Sequence, residues 1–202
     1  EVYKVKPGNS KYVDVNKDGV YNDADQGIIG CGQPTFNWGW NNTFNYKNFD
    51  FSFFVVGFHG FDIYNATHQM GYNLIKSQQM AGVTPMRELL NRWTPTNTNT
   101  DIPGFVKGGT ENKDFFSTRF VENGSFIKMK SITLGYTLPE ATCRSLGINN
   151  LRVYASVQNP FHITKYSGLD PEATMGSPLV QGVDWGAYPN SRNYLIGLNF
   201  SF

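Results

Sequence analysis

The residues best spaced to do chemistry lie near the start, in "DVNKDGVYNDAD" at 14–25. Asp14, Asn16 and Asp18 take positions one, three and five of a loop, Gly19 the sixth and Asp25 the twelfth. In an EF-hand-like calcium loop alternate side chains turn inward, the glycine permits the sharp bend, and the seventh residue, here Val20, offers its backbone carbonyl. Asp25 stands where a bidentate Glu is usual, so the pattern is nearer the dockerin type of loop. Three carboxylates crowded into one turn repel one another unless a cation joins them. The spacing therefore predicts a structural calcium ion, against the alternative of a solvated Asn/Asp turn that binds nothing.

The remaining reactive side chains form no comparable set. His59, His68 and His162 are far apart and have no Cys or carboxylate at ligand spacing. The sequence has neither a G-x-S-x-G elbow nor a phosphate-cradling Gly loop. Glu111, Asp114 and Glu122 read as solvated loop charges, because nothing places two of them across a cleft as glycoside hydrolysis requires. The chain is thus expected not to be an enzyme. Trp38 and Trp40 suit a lipid-headgroup girdle, with carbohydrate stacking as the alternative. Trp93 and Trp185 fall in long connections and are the candidates for ligand or partner contact, while Tyr166 reads as an anchor for its own loop.

Composition narrows what could position these groups. Across 202 residues the formal charge is +1, which gives no electrostatic footprint for nucleic acid. Aromatic residues make up 15% and charged residues only 16%, where about a quarter charged is usual. No apolar run approaches the ~20 residues of a membrane helix, and the longest, "FSFFVVGF", is broken by Ser52 and Gly57. Membrane strands remain open, since a spanning strand needs only about ten residues of alternating character.

Five segments alternate with period two. In "FNWGWNNTFNY", Phe36, Trp38, Trp40, Phe44 and Tyr46 oppose Asn37, Gly39, Asn41, Thr43 and Asn45. "FDFSFFVVGF" follows after Lys47 and Asn48, a tight hairpin connection. "SITLGYTL", "LRVYASVQ" and the final "SRNYLIGLNFSF" complete the set. Between them short and long connections alternate: Lys47 and Asn48, then 60–124, then a stretch from Pro139, then 159–191. Long loops are uncommon in compact soluble domains, whereas outer-membrane barrels have short turns on the periplasmic side and long loops outside. The pattern predicts antiparallel strands of an outer-membrane wall, lipid on the apolar side and a wet lumen against Asn37, Asn41, Asn45, Thr133, Gln158 and Asn199. A β-sandwich is the competing arrangement. The long excursion is expected to carry short helices in "MGYNLIKSQQMAG" and "TPMRELLNRW", the second capped by Thr84 with Pro85 at its first position. This topology puts Cys31 outside and Cys143 in the periplasm. A separation of ~30 Å, against the ~6 Å between Cα atoms that a disulfide tolerates, predicts that they do not pair.

Over nearly its whole length the sequence resembles the SusC/RagA-type TonB-dependent outer-membrane transporters, at the C-terminal end of their barrel. "DVNKDGVYNDADQGIIGCGQPTFNWGWNNTFNYKNFDFSFFVVGFHGFDIYN" resembles the acidic loop, strand entry and hairpin of that family. "RWTPTNTNTDIP" resembles the loop segment after it, and "FVENGSFIKMKSITLGYTLP" the lead into a late strand. "LRVYASVQNPFHITKYSGLDPE" is similar to the penultimate strand with its loop, and "YPNSRNYLIGLNFSF" to the closing strand. The sequence departs from that pattern at Cys31 and Pro160. The resemblance implies the last five or so strands of a 22-stranded barrel, with 1–34 and 60–124 as extracellular loops and the C-terminus on the periplasmic side. It implies import of glycans or peptides together with a SusD-like surface lipoprotein, driven by TonB through an N-terminal part, with a plug and further strands not represented in this sequence. It also implies a barrel-assembly signal at Gly197, Phe200 and Phe202. The alternative is a secreted, calcium-stabilised β-sandwich that binds carbohydrate.

Overall fold

The computed structural model describes residues 6–20, 22–72, 85–104, 116–173 and 181–202. Its main element is a sheet of five antiparallel strands: β1 (Phe36–Tyr46), β2 (Phe49–His59), β5 (Phe126–Thr137), β6 (Asn150–Thr164) and β8 (Asn193–Ser201), adjacent in that order. At ~3.3 Å per residue, an eleven-residue strand reaches about 36 Å, enough to cross a bilayer's hydrocarbon core. Lys47 lies at φ 52°, the left-handed backbone that lets two residues join β1 to β2. A helix, α2 (Glu140–Ser145), fills the connection from β5 to β6 at the same end.

The register sorts the side chains. Trp40 pairs with Val55, Phe44 with Phe51 and Tyr46 with Phe49. The ladder then runs from Phe51 through Leu134 and Ala155 to Ile196. These residues share one face, and no second sheet or helix among the described residues packs on it. Tyr194 is 71% exposed, Ile196 85% and Phe202 86%. A sandwich would bury those rings, so the sandwich alternative fails on this point.

The opposite face carries Asn37, Asn41, Asn45, Ser52, Thr133, Ser156, Gln158 and Asn199, as the alternation predicts. It also carries Phe54, Val56, Phe58 and Phe126, and a second, smaller sheet accounts for the last three. β3 (Asp62–Asn65), β4 (Val121–Asn123) and β7 (Val183–Asp184) form a small second sheet, β3 antiparallel to β4 and parallel to β7. Phe61 and Ile63, with Tyr166 from the loop after β6, bury Val56 and Phe126. A second cluster joins Tyr64, Phe120 and Ala66, the last opening helix α1 (Ala66–Tyr72). The hydrophobic core therefore lies under the long connections, folded over the polar side of the wall, and the apolar side is left bare.

Two expectations shift. β6 does not stop at Gln158 but runs on to Thr164, so the long connection starts six residues later than the alternation suggests. "TPMRELLNRW" gives a short 3-10 segment, Arg87–Asn91, preceded by Met86, while Thr84 and most of "MGYNLIKSQQMAG" lie outside the described residues.

Candidate functional site

In the acidic loop Asp14, Asp18 and Asp25 are engaged by the loop's own backbone, while Asp23 accepts from Gln26 Nε2 at 3.0 Å. Gly19 N–H donates to Asp14 Oδ2 at 2.8 Å and Asp18 N–H to Asn16 Oδ1 at 3.0 Å. Val20 N–H donates to Asp18 Oδ1 at 2.7 Å. Asp25, buried, accepts from Asn22 N–H at 2.9 Å and Val15 N–H at 2.8 Å. These donors, Asn22 N–H foremost, hold its carboxyl below the usual carboxylate range. The side-chain oxygens thus fold back onto the turn's own N–H groups. Among the described residues no three His, Cys, Asp or Glu side chains gather at metal-holding distance. Cation binding here requires the side chains to re-aim.

The histidines stay apart, each with its own neighbours. His59, on the apolar face, accepts from Trp38 Nε1 at 3.1 Å and stacks on its ring, and Trp38 lies across Gly57. Trp40 meets Phe53 edge-on at 5.1 Å. Both tryptophans therefore sit in an aromatic band on the bare side. His68 on α1 lies 3.5 Å from Glu88 and 3.8 Å from Glu122. The Tyr72 hydroxyl donates to Glu88, which with His68 lowers the Glu88 carboxyl, while burial and then that carboxylate push the Tyr72 phenol up. His162 faces the polar side, opposite Lys128. Glu122 is not the solvated charge its sequence context suggests: it accepts from Asn65 Nδ2 at 2.9 Å, Ser167 N–H at 2.8 Å and Ser167 Oγ at 2.7 Å. Glu111 and Asp114 lie outside the described residues.

Trp93 packs against Gly8, where an added Cβ would come within 2.3 Å of its ring, and against Gly104. Its ring is therefore taken up by packing between loop segments. Trp185 is exposed, in a turn that Asp184 fixes by accepting from Gly186 N–H at 2.8 Å and Ala187 N–H at 3.1 Å. The same carboxylate accepts from the Tyr166 hydroxyl at 2.6 Å. Burial and then Asp184 raise the Tyr166 phenol well above its ordinary range, so it stays a neutral donor. Tyr166 thus anchors its loop, as its setting suggests.

Two clusters on the polar face escaped the sequence reading. Near the short-turn end, Arg152 bridges to Asp50 through Nε at 2.8 Å and Nη2 at 2.5 Å, over Gly135. Arg152 also lies 5.0 Å from the Tyr154 ring centre, and that ring covers Gly197. Near the long-loop end, Lys128, 2% exposed, meets Asp170 at 2.8 Å and Glu172 at 2.7 Å, and Lys130 meets Glu172 as well. Asn190 joins Asp170 through backbone and side chain, each at 3.1 Å. Burial alone would raise both carboxyls, but the Lys128 ammonium and neighbouring N–H groups outweigh it at Asp170. At Glu172 the two lysines do the same, and both groups lie below the usual range. Pairs forty-two residues apart leave no local signal in a sequence.

Phe200 and Phe202 are exposed on the apolar face and meet edge-on at 5.4 Å, whereas Gly197 faces the other side. Cys31 is exposed beside Asp62, at the long-loop end, and Cys143 is buried in α2 at the other.

No family profile matches the chain. It is 36% identical over 202 residues to "TonB-dependent receptor P3" of Formosa agariphila, covering 97% of this chain and 19% of that protein. It is 32% identical over 199 residues to "TonB-dependent receptor SusC" of Bacteroides thetaiotaomicron, covering 98% of this chain and 18% of that protein. Among solved structures it is similar to the RagAB peptide importer in its open-open state, with a TM-score of 0.75 and 27% identity over 95% of this chain and 20% of that one. The closed-closed state of the same importer gives a TM-score of 0.74 over 96% of this chain. The chain thus spans about a fifth of the length of the relatives it matches.

Proposed function

Because this chain belongs to the SusC/RagA type of TonB-dependent outer-membrane receptors, we propose that it supplies five strands of the wall of a TonB-driven importer of glycans or peptides, working with a SusD-like surface lipoprotein. The supporting observation is the one-sided sheet: apolar rings bare on one face, amides and hydroxyls on the other, with the long connections folded over the polar side. A wall between lipid and a wet lumen needs both features. The rest of the barrel, the plug and the TonB-engaging part belong to the full-length receptor. Deleting its gene in the native host should abolish uptake of a fluorescent oligosaccharide or oligopeptide that a proton uncoupler also stops. Unchanged, uncoupler-insensitive uptake of both probes would refute an importer.

In this reading the long connections face outward and the C-terminus lies on the periplasmic side, with Gly197, Phe200 and Phe202 as the assembly signal. Cys31 tests the orientation, being exposed at the long-loop end. A membrane-impermeant maleimide should label it on intact cells, and labelling only after the outer membrane is opened would reverse the assignment. The reading keeps Trp185 as a contact for ligand or lipoprotein. It also gives the loop at 14–25 a structural calcium ion, taken by Asp14, Asn16, Asp18, Asp25 and the Val20 carbonyl. Re-aiming those side chains limits affinity to about the 10⁻⁴–10⁻³ M of extracellular modules. Millimolar calcium, unlike magnesium, should raise the unfolding midpoint of the full-length receptor, and Asp25→Asn should remove the shift. An unmoved midpoint would retire the ion.

A further inference from the structure

The Lys128 and Lys130 cluster occupies an irregular place in the wall. The β2–β5 register passes from Phe54 opposite Ser131 to Val55 opposite Met129, so Lys130 is an extra residue in β5. On the other side the β5–β6 register passes from Ser131 opposite Gln158 to Met129 opposite Phe161, leaving out Asn159 and Pro160. Asn159 lies at φ 49°, and a bulge is one of the few places in a sheet where Pro is tolerated. In a regular strand Lys128 and Ser131 would face opposite sides. The extra residue lets both face the lumen and brings Lys130 within reach of the same carboxylate as Lys128. A bulge that aims two cations at one loop is a designed feature rather than a defect.

The loop it grips is 165–173. Tyr166 is buried against Val56, Ile63 and Phe126. Ser167 is bound to Glu122, Asp170 and Glu172 to the two lysines, and Asn190 to both acids. Leu169, between these ties, is exposed. We propose that residues 165–173 form a fixed ledge over the lumen face at the long-loop end, stapled by Lys128 and Lys130, so that the outer mouth of the barrel is narrowed there permanently rather than by a moving lid. Breathing of the mouth must then come from other loops. Lys128 and Lys130 are positioning residues in this account. The placement in a mouth rests on the barrel reading, whereas the fixation does not depend on transport.

The test uses the full-length receptor in detergent, with Cys31→Ser to remove the exposed native thiol and spin labels at Leu169→Cys and Phe44→Cys, the latter on the lipid side. Pulsed dipolar spectroscopy should give one narrow distance distribution, identical with and without the purified lipoprotein partner. Lys130→Arg should keep it narrow, and Lys130→Met and Glu172→Gln should each broaden it at least twofold. The Lys130 and Glu172 side chains are 29% and 26% exposed, and heat-modifiable migration verifies that the barrel is intact in each variant. A broad or two-peaked distribution in the unmodified loop, or a narrow one in both broadening variants, overturns the ledge.

Discussion

Space for a Cβ at Gly135 is already filled. A methyl there would lie 2.3 Å from Asp50 Oδ1 and 2.5 Å from Arg152 Nη2, closer than atoms pack, so the ion pair would have to part or the strand shift. Overpacking of this kind costs about 1–3 kcal/mol. Gly135→Ala should therefore lower the temperature at which the full-length receptor loses its compact, heat-modifiable mobility, and an unchanged temperature would show that the Asp50–Arg152 bridge moves aside freely. Asp170 and Glu172 give a prediction in pH. Their folded-state carboxyls lie below the usual 3.8 and 4.5, so the stability they lend is complete above those values and is lost as pH falls through the lower folded ones. A spin label at Leu169 should stay immobile at pH 5 and become mobile only below about pH 4; mobility already at pH 5 would contradict the staple.

At the scale of elements, what was legible depended on length. Strands of nine to fifteen residues with one lipid face announce themselves by alternation, and all five were found. β3, β4 and β7, with four, three and two residues, are too short to alternate, and β3 pairs with β7 across more than a hundred residues. Their existence is set by Phe61, Ile63 and Tyr64 finding a core, which is a tertiary matter. The end of β6 is not legible because the alternation breaks at Asn159 and Pro160, and only the facing bulge in β5 makes the break a kink within a strand. The residues of the calcium-like loop were legible from spacing, while the lysine staple was not, since its partners meet only when the loop folds inward. The two faces of β8 make a paired test. Ile196→Lys puts a cation into hydrocarbon near mid-strand, which costs about 2–4 kcal/mol, and should sharply cut the folded yield of the full-length receptor. Asn199→Lys, on the lumen side opposite Arg152, should cost far less than Ile196→Lys. Equal losses would mean that the faces have been assigned wrongly.

For the whole molecule the decisive features are the two open edges. Among the described residues β1 has a neighbour only in β2, and β8 only in β6, so alternate residues of the eleven along one margin and of the nine along the other leave backbone N–H and C=O groups unpaired within the sheet. In water such edges recruit other chains, and in hydrocarbon each unpaired group costs several kcal/mol, so a spanning sheet must close. The buried clusters cannot compensate, because they lie under the long connections and do not cover the apolar face. These 202 residues expressed alone should therefore aggregate in detergent-free buffer. In micelles they should show strand signal without the heat-modifiable mobility of a closed barrel. Supplying the rest of the receptor as a separate chain during refolding should restore that mobility, because both margins then find their neighbours. A soluble, monomeric, cooperatively unfolding 202-residue protein would mean that the bare rings have a cover within this chain, and the wall reading would fall with it.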